Sequence, residues 1–160
     1  MKEIIKNKKG FTLVELLVVI SIIGILTVIS LASFTSAQVK ARDAQRKSDL
    51  EQMSKALMLY YSDTGTFPAT FGFGNDDPGF VSDDGNTIYM RKTPQDPKYP
   101  SSSYIYKTDG NSFNLFANLE NTKDSQCLAD NNDGKRMVNG TYYCYGIASP
   151  NTVVDVTNFP

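Results

Sequence analysis

The stretch KKGFTLVELLVVISIIGILTV, Lys8 to Val28, decides the reading of the chain. From Phe11 to Phe34 the only charged side chain is Glu15. A membrane-spanning helix needs about 20 apolar residues, and this run exceeds that length. A cleaved secretory signal has an apolar region of only about 7–15 residues and a small-residue cleavage site, and neither fits here. A plain single-pass anchor fits the length but leaves Glu15 unexplained. A carboxylate at mid-membrane costs roughly 2.5–3.5 kcal/mol on insertion scales, less toward the end of a span, and such a group usually has a partner.

Lys8-Lys9-Gly10-Phe11 suggests where that partner comes from. Cleavage after Gly10 would give Phe11 a free amine, with Glu15 one helical turn away. Ammonium and carboxylate would then meet in low dielectric, within one chain or between neighbouring subunits. Gly10-Phe11-Thr12-Leu13-Val14-Glu15, behind a basic leader and ahead of an apolar run, resembles the processing motif of type IV pilins and of the pseudopilins of type II secretion systems. The resemblance implies cleavage by a prepilin peptidase between Gly10 and Phe11 and N-methylation of Phe11. It further implies that Glu15 neutralises the N-terminal amine of a neighbouring subunit in a helical filament raised by an inner-membrane assembly platform. Many members carry a proline where this chain has Ala32; Gly24 and Ser30 are then the weak points of the helix.

After Phe34 the pattern becomes charged, and Leu50, Met53, Leu57 and Tyr60, with Ala56 beside them, recur at helical spacing. That is one apolar stripe on an amphipathic helix, expected to pack under a sheet of the same chain. No Gly or Pro interrupts residues 25–64, and Gly65 followed by Pro68 is a stop signal. One continuous helix is expected from Phe11 to Thr64, roughly 80 Å long at 1.5 Å per residue. Lys40, Arg42, Arg46 and Lys47 against Asp43 form a basic patch. It reads as a surface facing solvent or a neighbouring subunit, with DNA or anionic lipid as the sharper alternative. Positive charge therefore flanks the span on both sides, and orientation rests on the cleavage motif, which places the leader in the cytoplasm.

Beyond Pro68 short strands and long loops are expected. Phe71 to Asp77 reads as loop, and Thr87 to Met90 as a short strand. Tyr104 to Lys107 and Phe113 to Leu119 flank Asp109-Gly110, a hairpin signal, and Phe113, Leu115, Ala117 and Leu119 share the face that would cover the helix. A last strand is expected near Tyr142 to Ile147. The fold class is α+β: a long N-terminal helix, membrane-spanning then amphipathic, against a small antiparallel sheet. Its parts are a leader over 1–10, a transmembrane or filament-core helix over 11–34, an amphipathic helix over 35–66 and a β-sheet domain over 67–160. Pro94-Gln95-Asp96-Pro97 followed by Tyr104 is similar to the segment before the sheet in major pseudopilins, although Lys98-Tyr99 stand where Trp-Gly is usual.

Cys127 and Cys144 would be free thiols or a metal pair in a reducing compartment; outside the membrane a disulfide is the default. Their layout resembles the disulfide-closed C-terminal region of many type IV pilins, which major pseudopilins usually lack. Asp124, Asp130, Asn132 and Asp133 offer oxygen ligands of the kind calcium takes, but their spacing is not that of an EF-hand, and a polar surface loop is the better reading. Asn139-Gly140-Thr141 fits a glycosylation sequon of little weight.

The chain has 160 residues, no histidine and a net charge of −1. The missing histidine removes the usual general base and the commonest metal ligand. No nucleophile motif or phosphate-cradling glycine loop stands out, so an enzyme is the weakest class. The charge balance does not read as that of a nucleic-acid binder. The leading expectation is a structural subunit of a type IV pilus-like filament, serving adhesion, motility or DNA uptake. A secretion pseudopilin is the alternative. A membrane-anchored binding domain that keeps residues 1–10 and never polymerises is a third reading, against which Glu15 argues. The expected location is the inner membrane before assembly, with the C-terminal domain outside it, then a surface filament or periplasmic pseudopilus.

Overall fold

A computed structural model describes residues 10–74, 79–121, 123–127, 136–138, 141–150 and 152–154. The chain divides into two compact units, Met1–Gln38 and Val39–Pro160. One helix, α1 (Leu13–Thr64), begins in the first and ends in the second. The expected continuous helix is therefore present. It starts two residues later than expected, because Thr12 stands outside it as the cap, and it runs unbroken through Gly24. It ends where Gly65 takes φ +78°, a left-handed conformation that only glycine adopts cheaply, and the Gly65 amide donates to the Tyr61 carbonyl at 2.8 Å.

The second unit carries the sheets. β1 (Phe80–Val81) pairs antiparallel with β2 (Ile88–Met90). Gly79 leads into β1 at φ +107°, where an added Cβ would lie 2.6 Å from the carbonyl oxygens of Met90 and Arg91. β3 (Ile105–Thr108) and β4 (Phe113–Ala117) form the expected hairpin around Asp109-Gly110. β5 (Arg136–Val138) pairs with β6 (Thr141–Tyr143), and β7 (Tyr145–Ala148) pairs with β4. The order of the central sheet is β3-β4-β7.

Two expectations need correction. The single last strand is two strands, broken at the fully buried Cys144. There the chain leaves its pairing with β5 and takes up pairing with β4. β4 is also buried on both faces rather than one. Phe113, Leu115 and Ala117 join Leu50, Met53, Ala56, Leu57 and Tyr60 in the main core. Phe116 points the other way, against Tyr143, Ile105 and Val154. The expected loop is present over Phe71–Gly74, residues 75–77 lying outside the described residues, yet Phe71 is buried in that core with its ring tilted against Phe80, 4.9 Å between centroids. Cys127 and Cys144 are joined in a disulfide across a sequence separation of 17.

Candidate functional site

The first unit presents a capped helix start. Gly10 and Phe11 precede the helix; nothing lies within 4 Å of where a Gly10 Cβ would stand, and Phe11 is exposed. Thr12-Leu13-Val14-Glu15 forms a capping box. The Glu15 amide donates to Thr12 Oγ1 at 3.2 Å, and Glu15 Oε2 accepts from the Thr12 amide at 2.9 Å. The Thr12 hydroxyl also donates to that oxygen, at 2.7 Å. Two of the helix's orphan amides are satisfied in this way, and a negative charge stands in its first turn. Both bonds to the carboxylate fall on Oε2. Oε1 has no hydrogen-bond partner among the described residues.

Behind this cap the helix is apolar on every side. Leu13 is 87% exposed, and Leu16, Leu17, Ile20, Ile23, Ile25 and Leu26 are exposed around the full turn. Ser21 and Thr27 turn their hydroxyls back to the carbonyls of Leu17 and Ile23, at 2.8 and 2.7 Å. This hides the polar groups of the span inside its own backbone ladder. A helix hydrophobic all round is stable only when buried in lipid or among other helices. It is long and apolar enough to cross a membrane.

The second unit holds a charge cluster that the sequence reading placed on the surface. The Arg46 side chain is 1% exposed. Its guanidinium grips Asp96 through two bonds of 2.8 and 3.0 Å, donates to Asp43 Oδ1 at 2.8 Å and reaches Glu120 Oε1 at 3.0 Å. Arg42 clasps Glu120 with bonds of 2.6 and 2.7 Å, and Lys98 adds a contact of 2.8 Å. Asp43 caps the loop after β4 by accepting the amides of Glu120 and Asn121, each at 2.9 Å. Lys47 pairs with Asp124 at 2.8 Å and lies 5.6 Å from the centre of the Tyr145 ring. Asp49 accepts from the Tyr104 hydroxyl and from Gln45, both at 2.7 Å.

Hydrogen bonds from Arg42 hold the Glu120 carboxyl far below the usual carboxylate range, with Lys98 and Arg46 assisting. Burial pushes Asp96 up, but bonds from Arg46 and the Lys98 amide outweigh it, and the net shift is down. Lys47 lowers Asp124. Burial raises Asp49 against the bonds it accepts.

The expectation of a solvent- or neighbour-facing basic patch is therefore corrected for Arg42, Arg46 and Lys47. Their charge is consumed by acids from the Pro94–Pro97 segment and from the loop after β4, some 50 to 80 residues away in sequence. One signal could have shown it. The core spacing Leu50, Met53, Leu57, Tyr60 continues upstream through Arg46 and Asp43, so the buried stripe does not stop at Leu50; it turns ionic. The Thr12-x-x-Glu15 box was likewise legible as a cap.

Of the other sites expected, Asp124 is engaged by Lys47, while Asp130, Asn132 and Asp133 lie outside the described residues, as does Asn139-Gly140 of the sequon. Among the described residues no group of three or more acidic or cysteine side chains gathers as a metal site.

Residues 5–31 match the family model described as the prokaryotic N-terminal methylation motif. The type II secretion system core protein G of Aeromonas hydrophila is 31% identical over 102 residues, 58% of this chain and 68% of that protein. The core protein G of Pseudomonas aeruginosa is 28% identical over 121 residues, 70% of this chain and 83% of that one. The type IV major pilin protein PilA of Myxococcus xanthus is 32% identical over 85 residues, 53% of this chain but only 37% of the pilin. No solved structure matches the chain significantly.

Proposed function

The chain belongs to the family of type IV pilins and type II secretion pseudopilins, and from that premise we propose that it is a structural subunit of a pilus-like filament. It is held in the inner membrane by the helix behind Phe11 until assembly, with the second unit outside. A prepilin peptidase cuts between Gly10 and Phe11, and the new Phe11 amine is methylated. The subunit then passes through an assembly platform into a helical filament of its own copies. The observation that carries this reading is the capped start of an all-round apolar helix. Glu15 is the only charged side chain from Phe11 to Phe34, pinned through Oε2 by Thr12 and open at Oε1. An ammonium entering at Oε1 would neutralise the carboxylate without dismantling the cap. A chain that merely needed an anchor could complete the same cap with an uncharged glutamine and avoid the cost of a charge in that place.

The filament's use has two readings. The Cys127–Cys144 disulfide favours a surface pilus serving adhesion, motility or DNA uptake. The greater extent of similarity to the core protein G relatives favours a secretion pseudopilus. The buried Asp96 adds to that side by giving the Pro-x-Asp-Pro segment a structural task. We lean to the pilus.

Intact-mass spectrometry on a sheared surface fraction and a cell-bound fraction tests both levels. The pilus reading predicts sheared protein lacking residues 1–10, heavier by the CH2 that one N-methylation adds and lighter by the two hydrogens that the disulfide loses. The processed mass confined to the cell-bound fraction would transfer the assignment to a pseudopilus. An unprocessed mass in both fractions would overturn the filament reading.

A further inference from the structure

We propose that the second unit carries a binding site for a small alkylammonium ligand, in the cavity between the end of α1 and the β1–β2 hairpin. The proposal does not depend on the filament reading. The cavity has a volume of about 430 Å³, toward the lower end of the range for small-molecule sites. Tyr60, Phe71, Phe80, the exposed Asp83 and the buried Thr93 are among the residues that line it, and the rings of Tyr60 and Phe71 each pack against that of Phe80. Among the described residues neither lysine nor arginine lines it.

The two neighbouring carboxylates of the hairpin differ in a telling way. Asp84 is used up by its own turn. It accepts from the Ser82 hydroxyl, from the Asn86 amide at 3.1 Å and from the Asn86 side chain at 2.8 Å. Asp83 has no such role. Its one contact is with the Tyr60 hydroxyl at 3.5 Å, too long for a firm bond, and no cation pairs with it among the described residues. Asp83 and the three aromatic residues line one cavity, and both kinds of group favour a cation: the carboxylate by its charge, a ring by the negative quadrupole above and below its plane. That combination repels anions, gains little from neutral solutes and attracts a cation whose apolar substituents can lie on the rings. Thr93 brings a buried hydroxyl with no hydrogen-bond partner among the described residues, so the same wall holds polar capacity that the chain leaves unused. Tyr89 packs behind the wall, 5.3 Å from Phe80, but spends its hydroxyl on Asp63 at 3.0 Å and does not compete for Asp83.

The test uses the full chain, isotope-labelled in a non-ionic detergent. Choline is titrated against its neutral isostere 3,3-dimethylbutan-1-ol, and amide shifts are followed by NMR. Choline should give saturable shifts at Phe71, Phe80 and Asp83 with a millimolar dissociation constant, as suits an exposed carboxylate. The neutral isostere should bind about tenfold more weakly. Asp83→Asn should weaken choline about threefold or more and leave the isostere unchanged, and the rest of the spectrum should report an intact fold. Phe80→Leu, which keeps apolar volume but removes the ring face, should weaken choline in the same way. Equal binding of choline and its isostere would reduce the cavity to an apolar cleft and overturn the proposal. So would the absence of saturable shifts up to tens of millimolar.

Discussion

Arg46 meets three carboxylates in the interior and shows what the second unit cannot lose. Asp43, Asp96 and Glu120 converge on its guanidinium, and each carboxylate is satisfied by further donors. Removing one partner strands charge that water cannot reach. Asp96→Ala should therefore cost about 3–5 kcal/mol in denaturant unfolding of the full chain in detergent. Lys98→Ala, which removes a half-exposed contact to Glu120, should cost less than about 1 kcal/mol. The two values in one assay separate a buried clamp from a solvated pair. Acid should undo the clamp with a definite sign. Asp96, Glu120 and Asp124 have folded pKa values below their unfolded ones. Their contribution is complete above about pH 5 and is lost as the pH falls through and below the ordinary carboxylate range. Asp49 is shifted the other way. Its protonation favours the folded state on acidification and offsets part of the loss. The melting temperature of the disulfide-intact chain should fall between pH 5 and pH 3, with Asp49→Ala showing the steeper fall.

At the scale of elements, the helix end and the disulfide each give a separate prediction. Gly65 has open space around it but sits at φ +78°. Gly65→Ala should cost about 1 kcal/mol purely through the backbone, with no rearrangement of neighbours. The Cys127–Cys144 bridge ties the loop after β4 to the junction of β6 and β7, beside the Lys47–Asp124 pair. Closing a loop of that length is worth about 3 kcal/mol in the chain-entropy model. Cys127→Ala with Cys144→Ala should lower stability by about that amount. These elements also mark what was legible in the sequence. The apolar stripe from Leu50 to Tyr60, the stop at Gly65 and the Asp109-Gly110 hairpin rest on local periodicity and turn chemistry, and the structure has all three. The β5–β6 pair is joined through Asn139-Gly140, a local hairpin signal that the strand reading passed over. The split at Cys144 and the acidic partners of Arg46 rest on contacts between distant segments. Local pattern carries no record of them. Arg46 falls on the spacing of the buried stripe, but the acid that pairs with it, Asp96, lies 50 residues away and no local pattern names it.

For the whole molecule, the two units divide the labour. The second unit buries its own core and pairs the buried charges around Arg46. Among the described residues the first leaves its apolar side chains exposed and Oε1 of Glu15 without a hydrogen-bond partner, so its stable environment must come from lipid and then from other copies. The cap and the charge of Glu15 can be separated by experiment, because glutamine at this position still completes a capping box while carrying no charge. The most direct measurement is the incorporation of Glu15→Gln subunits, co-expressed with wild type, into filaments recovered from the envelope and sheared fractions together. Processing after Gly10 and folding of the second unit are checked on the same samples. The account predicts processed, folded Glu15→Gln protein that enters filaments at least about tenfold less than wild type, the consequence of an unpaired ammonium at the subunit contact. Incorporation at the wild-type level would mean that Glu15 serves only to cap its helix, and would contradict the account at its centre.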